Sequence, residues 1–219
     1  MLTVHHLEKS RSTRVLWLLE ELGVPYELKQ YKRDPKTMLA PPELKEIHPL
    51  GKSPIVTDDG AVLAESAAIL EYLVGKYGNG RFVPATGTPE HLRYNYWLHY
   101  AEGSAMPPLL MKLVFETVKS KAPWPVKPIA KAIANQVLSS FVHPQLKTHF
   151  GWVESELGKR PWFAGDELTV ADMQMLYPVE AFASRGENMT PNIKKWLDAV
   201  HARPAYRKAI EAGGPVIPG

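Results

Sequence analysis

The chain contains no cysteine. That absence excludes disulfides, thiolate metal sites and a protein-derived thiol nucleophile together. Any sulfur chemistry here must use sulfur brought by another molecule. No apolar run approaches the roughly 18 residues of a membrane span, and the N-terminus lacks a secretion-signal pattern. Charge of one sign is scarce too. Over 219 residues, 26 Lys and Arg face 23 Asp and Glu, a net of +3, too balanced to mark a nucleic-acid binder. His5 and His6 stand in an apolar run with no metal-ligand spacing around them, and read as structural. The expectation is a cytoplasmic protein with no metal, no membrane partner and no nucleic-acid partner. What the chain does have is a 45% hydrophobic composition, that of a globular protein with a core to bury.

Composition shifts near residue 80. Residues 1–80 carry 10 Lys/Arg and 11 Asp/Glu, a net of −1, while the remainder carries 16 and 12, a net of +4. The stretch YGNGRFVPATGTP at 77–89 is dense in Gly, Pro and Thr, as a linker is. The expected division is a first domain at 1–80, a linker at 81–89 and a second domain at 90–219. In the first, LTVHHL reads as a strand. Val15, Leu16, Leu18, Leu19 and Leu22 then share a helical face that Gly23 and Pro25 terminate. PYELKQY alternates like a strand, and 34–50 reads as irregular. SPIVTDDGAVLA reads as a hairpin turning at Asp58-Asp59-Gly60, and a helix from Ser66 ends near Gly78. The order β-α-β-β-β-α, with an irregular stretch after the second strand, fits a thioredoxin-like fold. The second domain is expected to be all-α. Its helices are 90–117, bent at Pro107-Pro108, and 129–157, interrupted at Pro144, followed by two further helical segments.

Three segments in order resemble the cytosolic glutathione transferases: SRSTRVLWLLEELGVPYEL, HPLGKSPIVTDDGAVLAESAAILEYL and WFAGDELTVADM. The likeness covers nearly the whole chain and is nearest to the serine-type bacterial and fungal enzymes. It implies a thioredoxin-like N-terminal domain joined to a helical bundle, glutathione as co-substrate, no tightly bound cofactor, and a homodimer. It also implies attack of the glutathione thiolate on a small hydrophobic electrophile. Two rival readings are a binding module of the same fold without turnover and a glutathione-dependent peroxidase. A thiol oxidoreductase is disfavoured by the missing cysteine.

The resemblance also assigns roles residue by residue. Glu65 and Ser66 take the γ-glutamyl end of glutathione, where the amides and dipole of a helix start favour a carboxylate. By position alone, Ser66 could instead be a helix N-cap, and binding is the favoured reading. Ser53 and a cis Pro54 offer main-chain groups to the cysteinyl part, a strand-like pairing. Lys52 either meets the glycyl carboxylate or is simply solvated. His48, where the family commonly has Asn, is read as a turn residue without chemistry.

Glutathione's thiol is only a few per cent ionised at neutral pH. Lowering its pKa by about two units requires roughly 2.7 kcal/mol of differential stabilisation. A hydroxyl donor near a helix N-terminus has that magnitude. Ser10 matches the family's serine, with Ser12 as the alternative or as a cap of the first helix. Arg11 could add a positive field. Met106, Leu110 and Trp124 read as apolar contributors to the electrophile site or as core residues. Thr169 and Asp172 read as a capping pair, and Lys112, Lys119, Lys121, Lys127 and Lys131 as a solvated face.

Overall fold

A computed structural model describes residues 1–184 and 189–216. β1 (Thr3–Leu7) leads into α1 (Thr13–Leu22), and Gly23 ends that helix in the left-handed region at φ 70°. β2 (Glu27–Tyr31) runs parallel to β1, in a register that pairs His6 with Gln30. β3 (Ile55–Asp58) and β4 (Ala61–Ala64) form the expected hairpin. Asp59 (φ 47°) and Gly60 (φ 87°) supply the two positive φ values that a tight two-residue turn needs. The mixed sheet has the order β2-β1-β3-β4, and α3 (Ser66–Tyr77) follows it.

The stretch 34–50 is not wholly irregular. It contains α2 (Glu43–Ile47), whose buried Leu44 packs with Leu7 and Ile55 in a small cluster. One turn of helix, with Leu44 and Ile47 as its only apolar residues, is too short to leave a periodic signal.

The helical half departs from the expected breaks in an informative way. α4 (Pro89–Tyr100) passes through a π-helical turn (Ala101–Ala105) into α5 (Met106–Lys121). Pro107 and Pro108 therefore lie in the first turn of α5 and do not mark the bend. The register changes ahead of them, where wider i→i+5 bonding takes up the irregularity. The same device recurs: α6 (Lys127–Val137), a π turn (Leu138–Val142), then α7 (His143–Leu157) with Pro144 in its first turn. α8 (Val170–Ala183), α9 (Pro191–Ala202) and α10 (Pro204–Gly213) complete the chain.

One hydrophobic core runs through both halves. It joins Val4, Leu16, Trp17 and Leu70 of the sheet layer to Trp97, Phe163, Met173 and Trp196 of the helical layer. α8 is buried along nearly its whole length, and its start is fixed by a capping box. The Asp172 carboxylate accepts from the Thr169 and Phe163 amides, the Thr169 hydroxyl and the Trp196 indole at 2.8–3.3 Å. Burial pushes this carboxyl up to about 6 against those four bonds. Thr169 and Asp172 are thus folding determinants. No helix among the described residues is long and apolar enough to cross a membrane.

Candidate active site

The loop between β1 and α1, the turn before β3 and the start of α3 converge on a cleft of about 250 Å³. Arg11, His48, Lys52, Ser53, Pro54, Glu65, Ser66 and Glu102 are among its lining residues. Six residues expected from the sequence (Arg11, Lys52, Ser53, Pro54, Glu65 and Ser66) are brought together there. The Ser53–Pro54 bond is cis. Gly51, just before, holds φ 56°, and a Cβ on it would lie 2.6 Å from the Lys45 Cγ, so glycine spares this turn both a strained backbone and a shift of Lys45.

Glu65 is the N-cap residue of α3, at φ 71° and ψ 118°, and Ser66 is the first helical residue. Ser66 is therefore not a cap. Its Oγ lies 3.1 Å from Arg14 Nη1 and 3.4 Å from Gln174 Nε2, and both donate to it. Its own proton remains to be donated outward, beside the free amides of the helix start. Glu65 holds a conformation sparsely populated for a residue with a Cβ, which costs about 1–3 kcal/mol.

Glu102, in the π turn of the helical half, was not found from sequence. Its Oε1 accepts from Arg11 Nε and Arg14 Nη1, both at 2.8 Å. Burial works against ionisation of this carboxyl, yet the two guanidinium groups hold it below the usual carboxylate range. Arg14 is fully buried, and its Nη1 also reaches Gln174 Oε1 at 2.9 Å. Burial pushes its guanidinium down to about 10, so it stays a cation at neutral pH. Both arginines lie over the Tyr177 ring, at 4.7 and 5.3 Å from its centroid. Arg11, read from sequence as a source of positive field, is thus a partner of Glu102.

Behind the cleft the two candidate serines are joined. Ser10 Oγ and Ser12 Oγ are 2.7 Å apart, and Ser10 Oγ is 3.4 Å from Ser53 Oγ at the cleft wall. The Ser12 amide donates to Ser10 Oγ at 3.2 Å. Ser12 occupies the N-cap position of α1 but makes no side-chain cap bond. Its hydroxyl, wholly buried, turns instead to His6 Nδ1 at 2.7 Å. His5 is structural, between Tyr31 OH and Thr57 Oγ1. His48, read as a turn residue, lines the cleft, and the Leu50 amide donates to its Nδ1 at 3.4 Å.

The apolar trio is not brought together. Met106, 7% exposed, belongs to the core, and Leu110 is exposed on α5 two turns beyond Glu102. Trp124 is 87% exposed and three residues past the end of α5, roughly 30 Å along the chain from Glu102 at 1.5 Å per residue. It has no place in the cleft.

Comparison with known proteins decides the family. The family model described as "Glutathione S-transferase, N-terminal domain" matches residues 10–75, and "Glutathione S-transferase, C-terminal domain" matches 125–211. Glutathione S-transferase 3 of Schizosaccharomyces pombe is 39% identical over 96% of this chain and 87% of its own. The chain belongs to the glutathione S-transferase family. Glutathione S-transferase 1 of Saccharomyces cerevisiae is 33% identical, over 96% of this chain and 94% of its own. A glutathione S-transferase structure from Actinobacillus pleuropneumoniae is 34% identical with a TM-score of 0.78, covering 97% of this chain and 93% of that one. A Phanerochaete chrysosporium glutathione transferase solved with oxidized glutathione is 28% identical at TM-score 0.74, over 98% and 97% of the two chains. A thioredoxin-like domain with a helical partner and glutathione transferase function, with glutathione as co-substrate, follow from these matches.

The strain at Glu65 yields a prediction. Glu65→Gly removes the Cβ that makes φ 71° costly and removes the acid as well. Its unfolding temperature is expected to hold or rise, while glutathione affinity, measured by calorimetry, falls roughly ten- to hundredfold. Unchanged affinity would assign the strain to the fold alone.

Proposed function

We propose that glutathione lies along the cleft with its γ-glutamyl carboxylate on Ser66 and the start of α3, and its ammonium between Glu65 and Glu102. Its cysteinyl backbone pairs with the main chain of Ser53, and its glycyl carboxylate meets Lys52. The thiol then faces Ser10. The observation that carries this reading is the direction of the hydrogen bonds at Ser66. Two donors, from Arg14 and Gln174, load its oxygen and leave its proton for an incoming carboxylate. The two carboxylates nearby supply the opposite charge for the ammonium.

In this reading Ser10 donates to the thiolate and lowers the thiol pKa, and the sulfur attacks a small electrophile against α5 near Leu110. The substrate-binding unit is residues 1–80, the linker 81–89 and the helical domain 90–219. The setting is the cytoplasm, where thiols are kept reduced. The functional unit is a twofold dimer, supported by the exposed apolar residues Val62 on β4 and Leu92 and Tyr96 on α4. Lys76 is committed within its own subunit, 2.7 Å from Asp58 and 3.1 Å from Asp59.

Two measurements test the proposal. Ser10→Ala should raise the apparent pKa of bound glutathione, read by ultraviolet titration of the thiolate, by about one to two units. Turnover at neutral pH falls with it, while affinity changes less, because most binding contacts lie away from the thiol, at the ends of the tripeptide. A thiolate titration unchanged in Ser10→Ala overturns the role of Ser10. Sedimentation should give twice the 24.5 kDa chain mass, and a 24.5 kDa species at micromolar concentration contradicts the dimer.

A further inference from the structure

His6 is a buried titratable group that the reading above does not use. Its Nε2 lies 2.7 Å from the Gly213 carbonyl oxygen. A carbonyl only accepts, so Nε2 carries a proton and Nδ1 of the neutral ring is an acceptor. Ser12 must then donate to Nδ1, at 2.7 Å. Its other acceptor, the Leu7 carbonyl, is at 3.4 Å and loses the competition for the single proton. With Ser12 committed, Ser10 is the donor of the 2.7 Å bond between the two hydroxyls. Ser53 gives its proton to the His5 carbonyl at 3.2 Å and accepts from the Leu7 amide. Ser10 Oγ accepts only the Ser12 amide, which leaves it one unused lone pair, and it lies 3.4 Å from Ser53 Oγ at the cleft wall. The hydroxyls of Ser10 and Ser12 both point the same way, toward His6.

We propose that this row is a proton relay and that His6, a positioning residue acting through Ser12 and Ser10, is its terminal acceptor. The proposal rests on the Ser10 reading above. The thiol of glutathione passes its proton to Ser10 Oγ, Ser10 passes its own to Ser12 Oγ, and Ser12 passes its own to His6 Nδ1. One S–H bond is broken and one N–H bond is formed, with no change of oxidation state. Afterwards each hydroxyl points the other way, so that Ser10 donates to the thiolate it has just produced. The imidazolium returns its proton to solvent after product leaves. The relay thus supplies both the acceptor of the thiol proton and the donor to the sulfur, using the same two hydroxyls.

The surroundings of His6 suit an acceptor. Burial holds its pKa below the ordinary histidine value, against the raising effects of the Gly213 carbonyl and Glu8, so the ring is neutral and ready to accept. Once protonated, it donates to a carbonyl at the C-terminus of α10, the end of a helix that favours a cation. The seat is close-fitting. A Cβ on Gly213 would lie 2.8 Å from His6 Cε1 and 2.6 Å from Leu16 Cδ1. Of the elements packed around the ring, β2 presents the uncharged Gln30, whose amide goes to the Ala212 carbonyl. α1 presents Leu16, α10 the Gly213 carbonyl, and the loop after β1 presents Glu8.

Histidine side-chain NMR of the full chain tests this, at a pH about one unit above the ordinary histidine value. The His6 signal is assigned by its loss in His6→Gln. Glutathione should convert His6 to the imidazolium, and S-methylglutathione, which has no thiol proton, should leave it neutral. In Ser12→Ala, which interrupts the row and keeps the histidine, glutathione should leave His6 neutral. The thiol pKa should also rise by about one unit, with kcat/KM roughly tenfold lower at that pH. His6 staying neutral in a wild-type complex whose ultraviolet absorbance shows the thiolate overturns the relay while leaving the role of Ser10 standing. So does equal protonation by S-methylglutathione. A wild-type complex with no thiolate contradicts the Ser10 reading and the relay together.

Discussion

The site depends on a guanidinium that never reaches it. Arg14 stands in the first turn of α1, wholly buried, and its Nη1 lies within 3.1 Å of Ser66 on α3, Glu102 in the π turn and Gln174 on α8. One nitrogen thereby holds Ser66 within the sheet layer and ties that layer to the helical layer at two points, Glu102 and Gln174. Its Nε and Nη2 have no hydrogen-bond partner, and the face of Tyr177 is the compensation offered to the charge. A buried cation is costly unless paired. Removing Glu102 would strand it, so the ion pair and the meeting of the layers are one constraint.

That constraint has a chemical consequence. Because Arg14 and Gln174 donate to Ser66, the serine hydroxyl becomes a donor toward the cleft. Because Arg14 and Arg11 share Glu102, that acid stays ionised although it is partly buried. The same logic governs the row of hydroxyls behind Ser53. There the Gly213 carbonyl fixes the tautomer of His6, and the tautomer fixes the direction of every bond back to Ser10. In both places a backbone or buried group with one possible role decides the roles of its neighbours. The strained backbone at Glu65 is tolerated because β4 and α3 determine it from both sides.

How much of this was legible in the sequence follows from how local each signal is. Gly23 as the stop of α1, Asp58-Asp59-Gly60 as a turn and Ser66 as the start of α3 are decided by neighbours in the chain, and the structure has them where they were expected. The cleft residues from 52–54 and 65–66 came from ordered motifs. Glu102 and Gln174 are 88 and 160 residues from Arg14, and no local pattern marks them. An arginine in the apolar face of α1, among Val15, Leu16 and Leu18, was the signal that could have raised the question of its partner. Ser12 looked like a cap because its spacing allowed one, but the buried Nδ1 of His6 is the stronger claimant for its proton. Trp124 looked like a site residue by composition. The continuation of α5 by four turns past the cleft, invisible without the π turn, carries it far away.

The central claim is that a cation with no exposure controls a ligand it does not touch. Calorimetric affinity for glutathione in Arg14→Lys tests it directly, because this variant keeps the charge but its ammonium ends one bond short of Nη1, the single nitrogen that reaches Ser66, Glu102 and Gln174. With folding verified by a cooperative thermal transition, the expected result is binding at least about tenfold weaker. Affinity equal to that of the wild-type protein in a folded Arg14→Lys would contradict the account.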